Sequence, residues 1–136
     1  MRILAVDPGM KNLGIALSNP TGTVANPLSV LRHISRPVDA AAIAALAADH
    51  GAGLIIVGHA LDDEDQPTPQ SRRAARLASA IRLQTNLPVV LWDETGSTQA
   101  ARRARLAIGA SRSRRSGHID DLAAVYILQT YLDAHP

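Results

Sequence analysis

Residues 3–18 read ILAVDPGMKNLGIALS. An apolar run stops on Asp7, Pro8-Gly9 follows at once, and a second apolar run begins at Leu13. Short apolar runs bounded by Pro and Gly predict two strands, 2–7 and 13–18, joined by a tight turn. An aspartate at the end of a buried strand carries a desolvation cost that something must offset. Two readings are open. Asp7 can accept hydrogen bonds from the Gly9 turn, or it can serve a site at the strand's end.

Outward from this stretch the period changes. Asn19-Pro20-Thr21-Gly22 has turn chemistry. Residues 23–33 predict a third strand, which Pro27 confines to an edge. Residues 38–51 are Ala-rich and predict a helix, with Asp39 as N-cap and Gly51 as the stop. GLIIVG at 53–58 and PVVLWDE at 88–94 have the continuous apolar character of buried parallel strands. Between them, 69–86 predicts an amphipathic helix with its arginines on the wet face. Residues 97–108 predict a further helix capped by Ser97 or Thr98, and 119–134 a last one. A three-strand meander followed by alternating strands and helices describes an α/β fold, a mixed sheet with helices on both faces. The 136 residues are expected to form one domain, 1–136, with no internal repeat.

Composition excludes several chemistries. There is no Cys, so thiolate and disulfide chemistry are absent, and zinc is disfavoured with His scattered. No phosphate-cradling Gly-rich loop and no nucleophile elbow occur. No charged leader with a long apolar region opens the chain, and no run approaches membrane-spanning length. A cytoplasmic protein without a membrane partner is the expectation.

Arg supplies 13 of the 14 basic residues. Arg102, Arg103, Arg105, Arg112, Arg114 and Arg115 lie close together in sequence. Such a cluster is an electrostatic footprint for nucleic acid, against the alternative of a solvated helix face and loop. With two Tyr, one Trp and no Phe, backbone recognition suits the chain better than base stacking.

Carboxylates stand at three element boundaries. Asp7 ends the first strand, Asp93-Glu94 the fifth, and Asp120-Asp121 begins the last helix. Strand ends are where an α/β sheet gathers its site. Oxygen donors suit Mg²⁺ or Mn²⁺, and paired ions suit in-line phosphoryl displacement. Singly, Glu94 reads as a surface acid and Asp120 as a complement to the helix dipole. Together the three point to a metal-dependent site. Asp62-Asp63-Glu64-Asp65 reads as a solvated loop, and His59 and His118 as structural or surface residues.

Four motifs in order, AVDPGMKNLGIALS, LIIVG with PQSRRAARLASAI, PVVLWDE with STQAA, and IDDLAAVYILQTYL, resemble the YqgF family. These are bacterial proteins described as pre-16S rRNA nucleases and as Holliday-junction resolvases. The resemblance covers nearly the whole chain. It implies an RNase H-like fold related to the RuvC resolvases, with a five-stranded mixed sheet in the order 3-2-1-4-5. It implies that Asp7, Glu94 and Asp120 are catalytic and hold Mg²⁺ or Mn²⁺. Asp121 is a neighbouring candidate ligand without a clear family counterpart, and a helix turns about 100° per residue, so the pair cannot face one centre equally. Lys11 stands where the family has a basic residue. Thr95 replaces the usual Arg after Asp-Glu, and His59-Ala60 follows Gly58 where an apolar residue and Pro are usual.

The function expected is a metal-dependent nuclease cutting phosphodiesters, with RNA favoured and 5′-end processing of pre-16S rRNA as its role. Gly9, Lys11, Arg102, Arg103, Arg112, Arg114 and Arg115 are the expected nucleic-acid contacts. Resolution of branched DNA is the alternative within that class, and needs a dimer; a monomer or weak homodimer is expected. A non-catalytic nucleic-acid-binding module is the alternative outside it. An ATP-binding domain of the actin-like type needs twice this length.

Overall fold

The computed structural model describes residues 1–93 and 120–136. Three strands come first: β1 (Arg2–Pro8), β2 (Asn12–Ser18) and β3 (Ala25–Arg32). They are followed by α1 (Arg36–Asp49), β4 (Ala52–His59), α2 (Pro69–Arg82), β5 (Val89–Asp93) and α3 (Asp120–Ala134). The strands form one sheet in the order β3-β2-β1-β4-β5. β1 pairs antiparallel with β2 and parallel with β4, and β4 pairs parallel with β5. This is the order the resemblance implies. The helix expected at 97–108 lies outside the described residues.

Alternation along the central strands divides the core in two. Leu4, Val6, Ile55 and Val57 pack with Ile43 of α1 and Leu77 and Ile81 of α2. Ile3, Ala5, Leu54 and Ile56 pack with Ala124, Ile127 and Leu128 of α3. Both layers close over strands that are apolar on both faces, which is why these runs lack a polar alternation. β3 is the half-exposed edge, and Pro27 sits at the register shift of its pairing with β2, where a missing N–H costs no regular ladder bond.

The helix starts differ from expectation in one case. α1 begins three residues before Asp39. Its N-cap is Ser35, whose side chain accepts from the Val38 amide at 3.4 Å, and Pro37 stands in its first turn. Asp39 is instead a buried first-turn residue. Its Oδ1 accepts from the Ile34 amide at 3.1 Å and its Oδ2 meets His33 Nδ1 at 2.5 Å. α2 opens on a capping box in which Thr68 and Ser71 each bond the other's amide, at 3.0 and 2.8 Å. It ends at Arg82, where the Arg guanidinium donates to the Val89 carbonyl at 2.7 Å.

α3 is fixed at its far end by several contacts. Trp92 Nε1 donates to Thr130 Oγ1 at 2.9 Å, and its ring meets Tyr131 edge-on with centroids 5.2 Å apart. The Ala25 amide donates to Gln129 Oε1 at 3.1 Å. Gly58 faces Ile127, and a Cβ there would run into the isoleucine side chain. Glycine at 58 is what lets the helix lie this close to β4. No described helix is long and apolar enough to cross a membrane.

Candidate functional site

Asp7 is the next-to-last residue of β1, opposite Gly14 in the pairing with β2. It continues the side of Ile3 and Ala5, so it stands on the α3 face, and it is half-buried. Because β1, β4 and β5 are parallel, their C-terminal ends share one sheet edge. Val57 pairs with both Val6 and Leu91, and His59 with Asp93, so the ends are nearly level.

The direction of α3 relates its first turn to that edge. Ser18 Oγ accepts from the Ile3 amide at 2.8 Å, Ser18 pairs with Ala25, and Ala25 binds Gln129. Gln129 is therefore level with the start of β1. From Ile3, Asp7 lies about 13 Å along the strand. From Gln129, Asp120 lies about 13 Å back along the helix. Met1, Ile3, Tyr131 and Leu132 share a depression at the opposite edge, as a helix running against β1 requires. The backbone of the first turn of α3, Asp120 and Asp121, thus stands at about the height of Asp7 and over the same face.

Glu94 follows Asp93 directly in the chain and lies outside the described residues, as do Arg102, Arg103, Arg112, Arg114, Arg115 and His118. Among the described residues no three His, Asp or Glu side chains cluster as metal ligands do. His59, at the end of β4, and Asp93 lie one step out of phase with the Asp7 face: Gly58 and Trp92 are the residues of β4 and β5 turned toward α3. The acidic loop 62–65 is exposed, and Asp62 accepts from the amides of Glu64 and Gln66 at 2.9 and 2.8 Å. That is the solvated loop read from sequence.

Gly9 and Lys11 form the turn beyond Asp7. A Cβ on Gly9 would collide with the Asn12 carbonyl, so the tight return to β2 requires glycine. The Lys11 carbonyl accepts from the His33 amide at 2.8 Å, which extends the β2–β3 pairing and leaves Lys11 itself exposed at the edge.

On the other face of the same edge is a cleft of about 340 Å³ that sequence reading did not anticipate. Pro8 and Gly9 border it, with His33 from the connection after β3, Arg36 and Asp39 from the start of α1 and Arg73 from α2. These residues are scattered in sequence, and nothing local marks them as neighbours. Only the Ser35-Arg36-Pro37 helix start could have been read, from the preference of Pro for the first turn.

Comparison with known proteins agrees with this architecture. The family model described as RuvX, Holliday junction resolvase, matches residues 1–134. A Myxococcus xanthus protein named as a proposed pre-16S rRNA nuclease is 36% identical over 135 residues, covering 99% of this chain and 89% of its own. One from Moorella thermoacetica with the same name is 38% identical over 133 residues, covering 98% and 95%. Among solved structures, Thermus thermophilus RuvC with a Holliday junction substrate superposes with a TM-score of 0.61 at 13% identity, covering 98% of this chain and 94% of that one. Fowlpox virus resolvase with Holliday junction DNA gives 0.60 at 14% identity, covering 98% of each. At such identities the likeness is one of fold, and that fold is RNase H-like. Sheet order and whole-length matches therefore converge: the chain belongs to the RuvX (YqgF) family.

Proposed function

We propose that this protein is a divalent-metal-dependent nuclease that hydrolyses phosphodiester bonds, acting on RNA in the 5′ maturation of pre-16S rRNA in the cytoplasm. Family membership supports the reaction class, and the names of its relatives support the substrate. The observation that carries the reading is Asp7, on the α3 face at the edge where β1 ends, at the height of the first turn of α3.

The donor set fits a hard cation. Asp7, Glu94 and Asp120, with Asp121 beside it, offer carboxylate oxygens only, which Mg²⁺ and Mn²⁺ prefer. These residues would hold the ions. Ions of this kind acidify a water and offset the charge that builds on phosphate oxygens.

The chain's own work is positional. A central strand hydrogen-bonded on both sides fixes the Asp7 backbone, so its carboxylate returns to one place without an ordering cost at each turnover. The Gly9–Lys11 turn presents a cation and backbone at the lip of the site, where a phosphodiester can be drawn in and aligned. Half-burial strengthens these electrostatic contacts relative to open water. The arginines of 102–115 add sequence-independent attraction for the polynucleotide. No side-chain nucleophile is called for, in keeping with a chain that has no Cys.

Junction resolution is the second reading, favoured by the fold shared with the RuvC–junction complex. It requires a symmetric dimer with two sites, whereas the RNA reading works as a monomer or weak homodimer. End-labelled single-stranded RNA, duplex and four-way junction are to be incubated side by side with Mg²⁺ or Mn²⁺. Cleavage of RNA by the wild type, absent for Asp7→Asn, is the expected result. Undiminished cleavage by a rigorously purified Asp7→Asn protein removes the metal-site reading. Binding without cleavage of any substrate leaves a non-catalytic binding module.

A further inference from the structure

The cleft beside Gly9 is not part of the carboxylate site. Pro8 borders it, and successive strand residues face opposite sides, so cleft and Asp7 lie on opposite faces of one edge. Its charges are unusual in being unspent. Neither Arg36 nor Arg73 pairs with a carboxylate among the described residues, and the Arg73 Nε is buried with no hydrogen-bond partner. A buried donor left without an acceptor costs stability, and in a native protein it calls for an explanation.

Asp39, the acid in the cleft, cannot serve either arginine as it stands. Only 4% exposed, it already has one carboxylate oxygen on the Ile34 amide and the other on His33 Nδ1. That leaves His33 Nε2 as the imidazole atom still free to bond, on a side chain 44% exposed. Two uncommitted guanidinium groups and the N-terminal turn of α1 thus line a concavity with a Leu13 and Leu77 floor. A guanidinium fork matches phosphate oxygens, and the positive end of a helix adds to the attraction. At about 340 Å³ the cleft has room for a phosphate with part of its nucleotide.

We propose that this cleft is a second phosphate site, which takes a backbone phosphate of the bound strand a few nucleotides from the bond that is cut. This rests on the nuclease reading for the identity of the strand, while the phosphate chemistry stands by itself. The strand would leave Asp7, cross the Gly9–Lys11 turn and set a phosphate between Arg36 and Arg73. Contacts remote from the reacting bond fix the register of the substrate.

The test is an NMR titration of the full-length protein without divalent metal, first with inorganic phosphate and then with a short single-stranded RNA bearing hydroxyls at both ends. Phosphate is expected to shift the Gly9 and Arg36 amides and the Arg73 Nε–H signal. The RNA is expected to move the same signals. Arg36→Gln and Arg73→Gln should each weaken phosphate binding about tenfold or more, as loss of a charge-assisted pair predicts. Arg36 is exposed, so its variant keeps the test sound if Arg73→Gln folds poorly.

Where the wild type cuts RNA, both variants should raise KM with kcat nearly kept. Phosphate that moves none of these signals overturns the site. RNA that saturates the protein and leaves them still overturns the strand assignment, and points to a free nucleotide. Failure of the wild type to cut any nucleic acid sinks the nuclease reading instead, and leaves the phosphate titration to stand or fall alone.

Discussion

At the scale of single residues, the edge of the sheet is built from groups whose surroundings leave them few substitutes. Asp7→Asn keeps shape and removes the charge that attracts cations, so cleavage should fall by at least about a thousandfold, in line with losses at positioned catalytic groups. RNA binding measured in EDTA should change little, and comparison of the two assays checks the separation of roles. Gly9→Ala forces a Cβ onto the Asn12 carbonyl. The turn must open, with a loss of about 1–3 kcal/mol by denaturant unfolding. Asp39→Ala removes the buried carboxylate that holds the Ile34 amide and His33. A loss of about 1 kcal/mol is expected, as for a hydrogen bond whose donor water can reach.

At the scale of elements, the site depends on how α3 lies on the sheet. Gly58 sets that distance through its contact with Ile127. Gly58→Val should push the helix outward, with an overpacking cost of about 1–3 kcal/mol. Since α3 carries Asp120 and Asp121, metal-dependent cleavage should fall more than stability does, as activity per folded molecule would report. The helix starts are less coupled to the site. Thr68→Ala breaks one half of the capping box of α2 and the bond to the Ala60 carbonyl. About 1 kcal/mol is expected from the cap, with phosphate binding at Arg73 retained if the helix holds its register.

For the whole molecule, charge and symmetry decide what is bound and how. RNA affinity should fall roughly 50-fold between about 50 and 200 mM salt if about four phosphates are neutralised on a single strand. A flat salt profile by fluorescence anisotropy excludes the arginine-rich segment from binding. Sedimentation at assay concentrations separates the two nuclease readings, since a strict monomer cannot present paired sites to a four-way junction.

Sequence and tertiary structure contributed different things. The described strands and helices and the edge position of β3 follow from periods of two and 3.6 and from Pro and Gly, which act locally. Asp7, at the end of its strand, could be picked out the same way. The helix starts were only partly readable, because Ser35 and Asp39 are both competent caps and the choice turned on the bond between Asp39 and His33. Side of the sheet, direction of α3 and the pairing of Arg36 with Arg73 across a cleft are set by packing between distant segments. No local pattern encodes them, because burial rewards the meeting of two surfaces, and each surface is written in a different part of the chain.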